Sequence, residues 1–577
     1  MLWPTPTLSG LPQRKGDFAT LPDALDYAAG GNTGLNFHSL HGELTDALPY
    51  RALRADALDL ALRLLGSGLQ PGDRVAIVAE TDPDFVRTFF ACQYAGLVPA
   101  LLPLPFAFGG RETYVAHICR LVKEARAAAL FAPAALIRWL ASLETELGLR
   151  VFGNIADLDS TPVPNAMLPT VKPDDAAYLQ FSSGSTRFPM GVVVQQKAFM
   201  ANASATLRYG LQIRPDDRAV SWLPFYHDMG LVGFLLTPVT GQVTVDLIAT
   251  RDFARRPQLW LSLISAGRGT ISYSPSFGYD LCIRRQRAID SISLDLSSWR
   301  IAGIGGDMIR PAILSNFAEA FAACGFQPTA FMPSYGMAEA TLALSLAPVG
   351  RGVETDTIDL DRLEQDRIAV APQDEAARTR TVVLCGRVLP GHNVEIRDSD
   401  RISLPDRGVG RIFARGPSVM QGYDGHPDET YTALSSDGWL DTGDLGYRLD
   451  GTLVITGRAK DLIIINGRNI WPQDLEWTVE HSVPGIRTGK VAAFSIEESG
   501  REVLIMAVDA RGVADADAVS KLATEIGDAV RAHHGLDGRV VLVPPSSLPY
   551  TSSGKLSRFA TRQRYLAGTL GASAASA

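Results

Sequence analysis

Residues 181–194 read FSSGSTRFPMGVVV, with four Ser/Thr hydroxyls and two glycines in the first eleven positions and a valine run behind them. Such a stretch can offer backbone N–H groups and hydroxyls to phosphate oxygens without interference from Cβ atoms. It is not a Walker loop, which ends Gly-Lys-Ser/Thr, because this one ends Pro189-Met190-Gly191. An ordinary turn accounts for the same composition. The segment Gly303 to Met308 has three glycines but lacks the last glycine of a dinucleotide fingerprint. Further along, SWLPFYHDMGLVG (221–233) sets His227 and Asp228 after a run of aromatics. PSYGMAEATL (333–342) places Tyr335 and Glu339 around a glycine, and GWLDTGDLG (438–446) puts Asp441 and Asp444 in a glycine turn. TGRAKDLIIINGRNIWPQDLE (456–476) joins a basic cluster to an isoleucine run, and PYTSSGKLSR (549–558) isolates Lys555 beside a glycine.

Elements able to position these groups are legible in the apolar pattern. Residues 52–66 have helical spacing, VAIVAE reads as a short buried strand, and 82–95 as a helix with Asp82 as N-cap. LVPALLPLP follows as another strand, and this alternation predicts a mainly parallel sheet with helices on both faces. The texture changes between Gly451 and Gly467. Beyond it, 490–497, 502–509 and 539–543 read as strands of a small α+β domain. A chain of 577 residues exceeds one core, so two or more domains are expected.

Composition narrows the classes. The formal net charge of −8 argues against nucleic acid or an anionic membrane as the main partner. Five scattered cysteines, none in a CxxC pair, argue against a disulfide framework or zinc site and suggest a reducing cytoplasmic setting. The N-terminus lacks the pattern of a signal peptide. The most apolar helical candidate, Ala127 to Ile137, is too short for a transmembrane segment and reads as core. Residues 351–383 carry eight acidic and five basic side chains and read as an exposed excursion from the large domain.

The ordered set LQFSSGSTR, WLPFYHDMGL, YGMAEATL, CGRVLPG, DTGDLG and GRAKDLIIINGRN resembles the adenylate-forming superfamily of acyl-CoA synthetases and peptide-synthetase adenylation domains, and most closely the fatty acyl-AMP ligases. The resemblance runs from about residue 30 to 565, and the segment 351–383 falls where those ligases carry their characteristic insertion. The fold it implies is α/β, a large N-terminal domain (1–457) of mainly parallel sheets flanked by helices with a smaller β subdomain. A small mobile α+β C-terminal domain (458–577) follows, ending in a frayed tail from 568.

The implied reaction is attack of a fatty carboxylate on the α-phosphorus of ATP, giving acyl-adenylate and pyrophosphate, with positioning and electrostatics supplying most of the catalysis. By the resemblance, Ser182, Ser183, Gly184, Ser185, Thr186 and Arg187 grip the β/γ-phosphates. Glu339 holds Mg²⁺, a hard ion that takes carboxylate and phosphate oxygens. Tyr335 stacks on the adenine and Gly305 and Gly306 let the base lie against backbone, Asp307, Ser334, Gly336 and Met337 also bind the nucleotide, and Asp444 with Arg458 holds the ribose of ATP or AMP. His227 and Met229 stand at the carboxylate end of the acyl tunnel, with Phe277 and Gly278 in its wall. Lys555 bridges α-phosphate and carboxylate, and Lys460 is the hinge.

Each assignment has a plain alternative: a core histidine, a turn aspartate, an exposed helix carboxylate, a solvated lysine. Met190 stands where the family usually has lysine, and VVVQQKAF lacks a frequent Ser-His; slower or weaker nucleotide handling is expected from this. The insertion favours the phosphopantetheine arm of an acyl carrier protein as acyl acceptor over CoA. A CoA-using synthetase and a non-catalytic nucleotide- or lipid-binding scaffold are the competing readings.

Overall fold

The computed structural model describes residues 10–571 except 106–109, 162, 164–166, 183–188, 286–292, 466, 499–500, 511–515 and 552–553. Short Val/Ile/Leu-rich runs form the interior of two large sheets. The first has the strand order Gly422–Tyr423, Gly191–Gln195, Ala176–Phe181, Val98–Leu102, Arg74–Val78, Ala129–Phe131, Val151–Gly153. Its strands from Ala176–Phe181 onward are parallel neighbours. All five residues of Val98–Leu102 are buried, as a sheet covered on both faces requires. The expected helix at 82–95 spans Pro83–Tyr94. The Asp82 carboxylate accepts the Phe85 N–H at 2.8 Å and caps it, while Phe85, Phe89 and Phe90 enter the core.

The second sheet is parallel through Phe331–Gly336, Ile301–Ile304, Ile271–Ser274, Arg218–Ser221, Thr244–Ile248 and Gly34–His38. Beyond Phe331–Gly336 it becomes antiparallel, through Ala343–Leu346, Thr379–Val388, Thr452–Arg458, Leu440–Leu449, Gly410–Arg415 and Asn393–Arg397. That antiparallel end is a smaller β subdomain. The remaining chain forms a separate three-stranded sheet of Val491–Glu498, Arg501–Asp509 and Gly538–Val543 with its own helices, among them Pro472–Ser482 and Ala516–His534. This is the expected α/β architecture with a smaller C-terminal α+β unit.

Two expectations are corrected. Ala127 to Ile137 is not one helix: Ala129–Phe131 is a strand, Pro133 breaks the run, and the helix Ala134–Leu140 starts after it. Residues 351–383 are not an exposed excursion. The strand Thr355–Asp359 pairs with Thr379–Val388, and Ile358, Leu360, Leu363 and Val382 pack in one apolar cluster with Trp471 of the C-terminal unit. Glu364 is 2% exposed and accepts hydrogen bonds from Arg378 at 2.7 Å and Arg468 at 2.6 Å. The charges that look solvated in sequence are paired across an interface with residues a hundred positions away.

A further pair in this interface sets a pH dependence. Arg380 lies 3.0 Å from Asp474, yet burial, with Glu364 and Glu476 nearby, pushes the Asp474 carboxyl up to about 6. The folded state therefore holds this proton more tightly than the unfolded chain. The stabilisation is complete below the ordinary aspartate range and is lost as pH rises through about 6. Asp474→Asn cannot ionise, and is expected to gain about 2 kcal/mol on the wild type between about pH 4.5 and about pH 8 in denaturant unfolding. A gap independent of pH would refute this account.

Candidate functional site

Two parallel strands of the second sheet end at the same place. Gly305 and Gly306 follow Ile301–Ile304, while Ser334, Tyr335 and Gly336 close Phe331–Gly336, so both groups lie at carboxyl ends of strands, where open α/β sheets bind ligands. These residues line a cavity of about 710 Å³. Ser182, His227, Met229, Asp307, Met337 and Glu339 line it from neighbouring segments; Asp444 and Arg458 reach it from the β subdomain; and Lys460 and Lys555 reach it from the chain beyond. Groups spread over some 370 residues of sequence thus share one space.

Local geometry fixes several of them. The Tyr335 hydroxyl donates to the Asp444 carboxylate at 2.7 Å, and Arg458 lies 3.4 Å from its other oxygen. Burial pushes Asp444 up, and Arg458, Tyr335 and Lys555 counter it. Glu339 sits in the short turn Ala338–Ala340 and accepts from the Tyr423 hydroxyl at 3.0 Å. Burial raises its carboxyl as well, against the pull of Tyr423 and Arg458. The Ser334 hydroxyl donates to the Ile304 carbonyl at 2.9 Å. Gly306 has φ +77°, and a Cβ there would lie 2.6 Å from the Met229 sulfur, so any side chain would close the space between them. Lys555 follows Gly554 in a turn where Thr551 N–H donates to the Lys555 carbonyl at 2.8 Å. Burial in the cleft lowers its ammonium, and Asp307, Asp228 and Asp444 oppose that.

Not every expected residue converges. Phe277 lines a second cavity of about 760 Å³ and meets Trp222 edge to face at 5.6 Å. Gly278 packs beneath Ser274 and Trp222, where a Cβ would lie 2.1 Å from the Ser274 hydroxyl, and it lines neither cavity. Ser183, Gly184, Ser185, Thr186 and Arg187 lie outside the described residues. Ser182, at the loop's start, receives the Met190 N–H on its hydroxyl at 3.2 Å, and Met190 lines the first cavity where a cation was expected.

Sequence reasoning missed Tyr423 and other residues of the cavity lining, Thr206, Leu211, Phe234, Leu342 and Leu346. Two π-helical turns, Thr206–Gly210 and Val232–Leu236, contribute Thr206 and Phe234 to it, and such turns are frequent at functional sites. A lining that holds both Lys555 and Arg458 and buried apolar side chains suits an anionic head group joined to an apolar chain. Among the described residues no three His, Cys, Asp or Glu side chains gather as a metal cage. Glu339 therefore offers a single hard oxygen donor, which suits an ion that arrives bound to phosphate. No helix among the described residues is long and apolar enough to cross a membrane.

Residues 36–424 match the family described as AMP-binding enzyme. The chain is 54% identical over 567 residues to a putative acyl-CoA synthetase of Caulobacter vibrioides, covering 98% of this chain and 99% of that one. It is 34% identical to the medium-chain-fatty-acid–acyl-carrier-protein ligase JamA of Moorena producens, with 96% of each chain covered. A solved structure from work on fatty acyl-adenylate ligases of E. coli and L. pneumophila superposes with a TM-score of 0.93 at 44% identity, covering 96% of this chain and 99% of that one.

Proposed function

Because the chain belongs to the AMP-binding enzyme family, as a fatty acyl-AMP ligase, we propose that it activates a medium- to long-chain fatty acid with ATP and then passes the acyl group to the phosphopantetheine thiol of an acyl carrier protein. The observation that carries this reading is one cavity lined both by Lys555, Glu339 and Asp444 and by buried apolar side chains, Leu211, Phe234 and Leu346 among them. The fatty chain lies along those apolar side chains and brings its carboxylate to His227. Asp444 and Arg458 receive the ribose, Tyr335 and the Gly305–Gly306 backbone receive the base, and the loop from Ser182 to Arg187 receives the β/γ-phosphates. The carboxylate oxygen attacks the α-phosphorus and pyrophosphate leaves. Lys555 neutralises charge between the two reacting groups, a contribution worth several kcal/mol in a water-poor site. Glu339 would hold the Mg²⁺ that enters with ATP, and the ion would supply charge neutralisation on the phosphates. The chain turns at Lys460, between a large domain (1–457) and a mobile one (458–577).

Support for a carrier protein as acceptor comes from the insertion, which grips the C-terminal unit, and from the name of the Moorena relative. The name of the Caulobacter relative favours CoA as a second reading. Incubation with ATP, Mg²⁺ and a fatty-acid mixture, with CoA, with a phosphopantetheinylated carrier protein, or with neither, separates the two by mass spectrometry. Acyl-AMP in every tube and acyl thioester only on the carrier is the expected result. Acyl-CoA formed as fast as acyl-AMP would replace it with the second reading, and no acyl-AMP from folded protein would overturn both.

Met190 provides a narrower test. A lysine there adds a charge-assisted contact if this position faces the phosphates, so Met190→Lys is expected to lower KM for ATP about fivefold with kcat changed less than about twofold. An unchanged KM would show that position 190 points away from the nucleotide.

A further inference from the structure

His227 is held by an unusual neighbour. Its backbone is pinned on both sides: the His227 N–H donates to the Pro224 carbonyl at 3.1 Å, and the His227 carbonyl accepts from the Gly230 N–H at 3.0 Å and the Leu231 N–H at 2.9 Å. The ring's remaining freedom is rotation about its own bonds. Its Nδ1 lies 2.6 Å from Oδ1 of Asp228, a carboxylate whose residue is 9% exposed. The Met229 N–H points to the same oxygen at 2.8 Å and reaches Nδ1 only at 3.3 Å, so that donor is spent on Asp228. Two lone pairs cannot sit 2.6 Å apart without a proton between them, and Asp228 is ionised. Burial pushes its carboxyl up, but His227 and Lys555 outweigh burial and hold it below the usual range. The proton therefore sits on Nδ1 and is donated to Asp228.

This leaves Nε2 as the ring nitrogen with no protein partner among the described residues. His227 lines both cavities, with Met229, Gly306, Asp307 and Lys555 beside it in the shared wall. A ring in that wall can touch the reacting carbonyl from the side opposite the nucleotide only if it keeps one orientation. We propose that Asp228 is a positioning residue for acyl activation: it fixes His227 in the Nδ1–H tautomer, so that Nε2 faces the junction of the two cavities. The proposal rests on the reading of His227 as the side chain that meets the acyl carboxylate. Asp228 itself stays behind the ring.

The wild-type protein carries the first test. With ¹⁵N-labelled histidine, the resonances removed by His227→Ala should show a protonated Nδ1; a neutral ring protonated on Nε2 alone would overturn the proposal without recourse to an Asp228 variant. Asp228→Asn is nearly isosteric, and its amide can donate to Nδ1 and reverse the tautomer. It is expected to lower kcat for acyl-AMP formation about 10- to 100-fold while KM for ATP stays within about twofold. In a His227→Ala background the same change should cost less than about threefold, because its effect passes through the ring. Equal losses in both backgrounds, an unaltered kcat in Asp228→Asn, or a wild-type rate in His227→Ala would each overturn it. A wild-type protein that forms no acyl-AMP would instead defeat the ligase reading beneath it.

Discussion

Replacing Lys555 by alanine is expected to lower the rate of acyl-AMP formation about 10²- to 10³-fold while leaving KM for the fatty acid within about threefold. The size follows from where the ammonium stands. Lys555 lines the cavity shared with Glu339, Asp444 and His227, and among the described residues it has no ion-pair partner within 4 Å. Asp307, Asp228 and Asp444 act on it only at longer range and oppose the lowering that burial imposes. An ammonium spared from a structural pair is available to negative charge that grows during the reaction. Such charge is larger in the transition state than in bound substrate, so the loss falls on kcat. Folding should be little affected: removing the side chain breaks no ion pair, and the turn is held by the backbone contact from Thr551 to Lys555. Pyrophosphate exchange and direct assay of acyl-AMP measure the effect. Lys555→Arg should recover little of it, since a planar guanidinium does not reproduce a compact point charge. A Lys555→Ala protein within threefold of wild type would remove this residue from the chemistry.

The legibility of the site in the sequence divides along physical lines. Polar groups stand out because glycine turns frame them: Asp444 in DTGDLG, Glu339 in GMAEA and Lys555 in SSGKL all line one cavity. Buried parallel strands are equally plain, since a strand covered on both faces must be apolar throughout, as Val98–Leu102 is. Apolar lining residues are not. Phe234, Leu342 and Leu346 line the same cavity, but no local pattern separates a side chain facing a tunnel from one packed in a core. Phe277, at the start of the helix Ser276–Arg284, lines the second cavity, which shares His227 and Met229 with the first. Tyr423 was missed because its partner, Glu339, is 84 residues away. Long-range pairing also hid the order in 351–383, whose charges look like a solvated surface until Arg468 and Asn469 are brought against them.

That pairing makes Glu364 the most sensitive point outside the cavity. Its carboxylate accepts from Arg378 within the 351–383 segment and from Arg468 in the hairpin strand Arg468–Ile470, and its backbone carbonyl accepts from Asn469 at 2.9 Å. Arg378 keeps Asp361 at 2.7 Å when Glu364 is removed, whereas Arg468 keeps only the His534 carbonyl at 3.0 Å. Glu364→Ala therefore leaves the half-buried Arg468 guanidinium short of its counter-charge, a change that costs about 1–3 kcal/mol. The loss should appear as an earlier unfolding transition of the C-terminal unit and faster proteolysis between residues 458 and 470. Glu364→Gln keeps the shape and one acceptor and should show a smaller shift in the same direction. The functional consequence depends on what the grip does. If it restrains the swing of the C-terminal unit, loosening it should raise the yield of acyl-CoA from CoA while acyl-AMP formation stays within about threefold. An earlier transition with no gain in acyl-CoA would confine Glu364 to stability. An unmoved transition would mean that the three groups are hydrated and contribute no more than a surface pair.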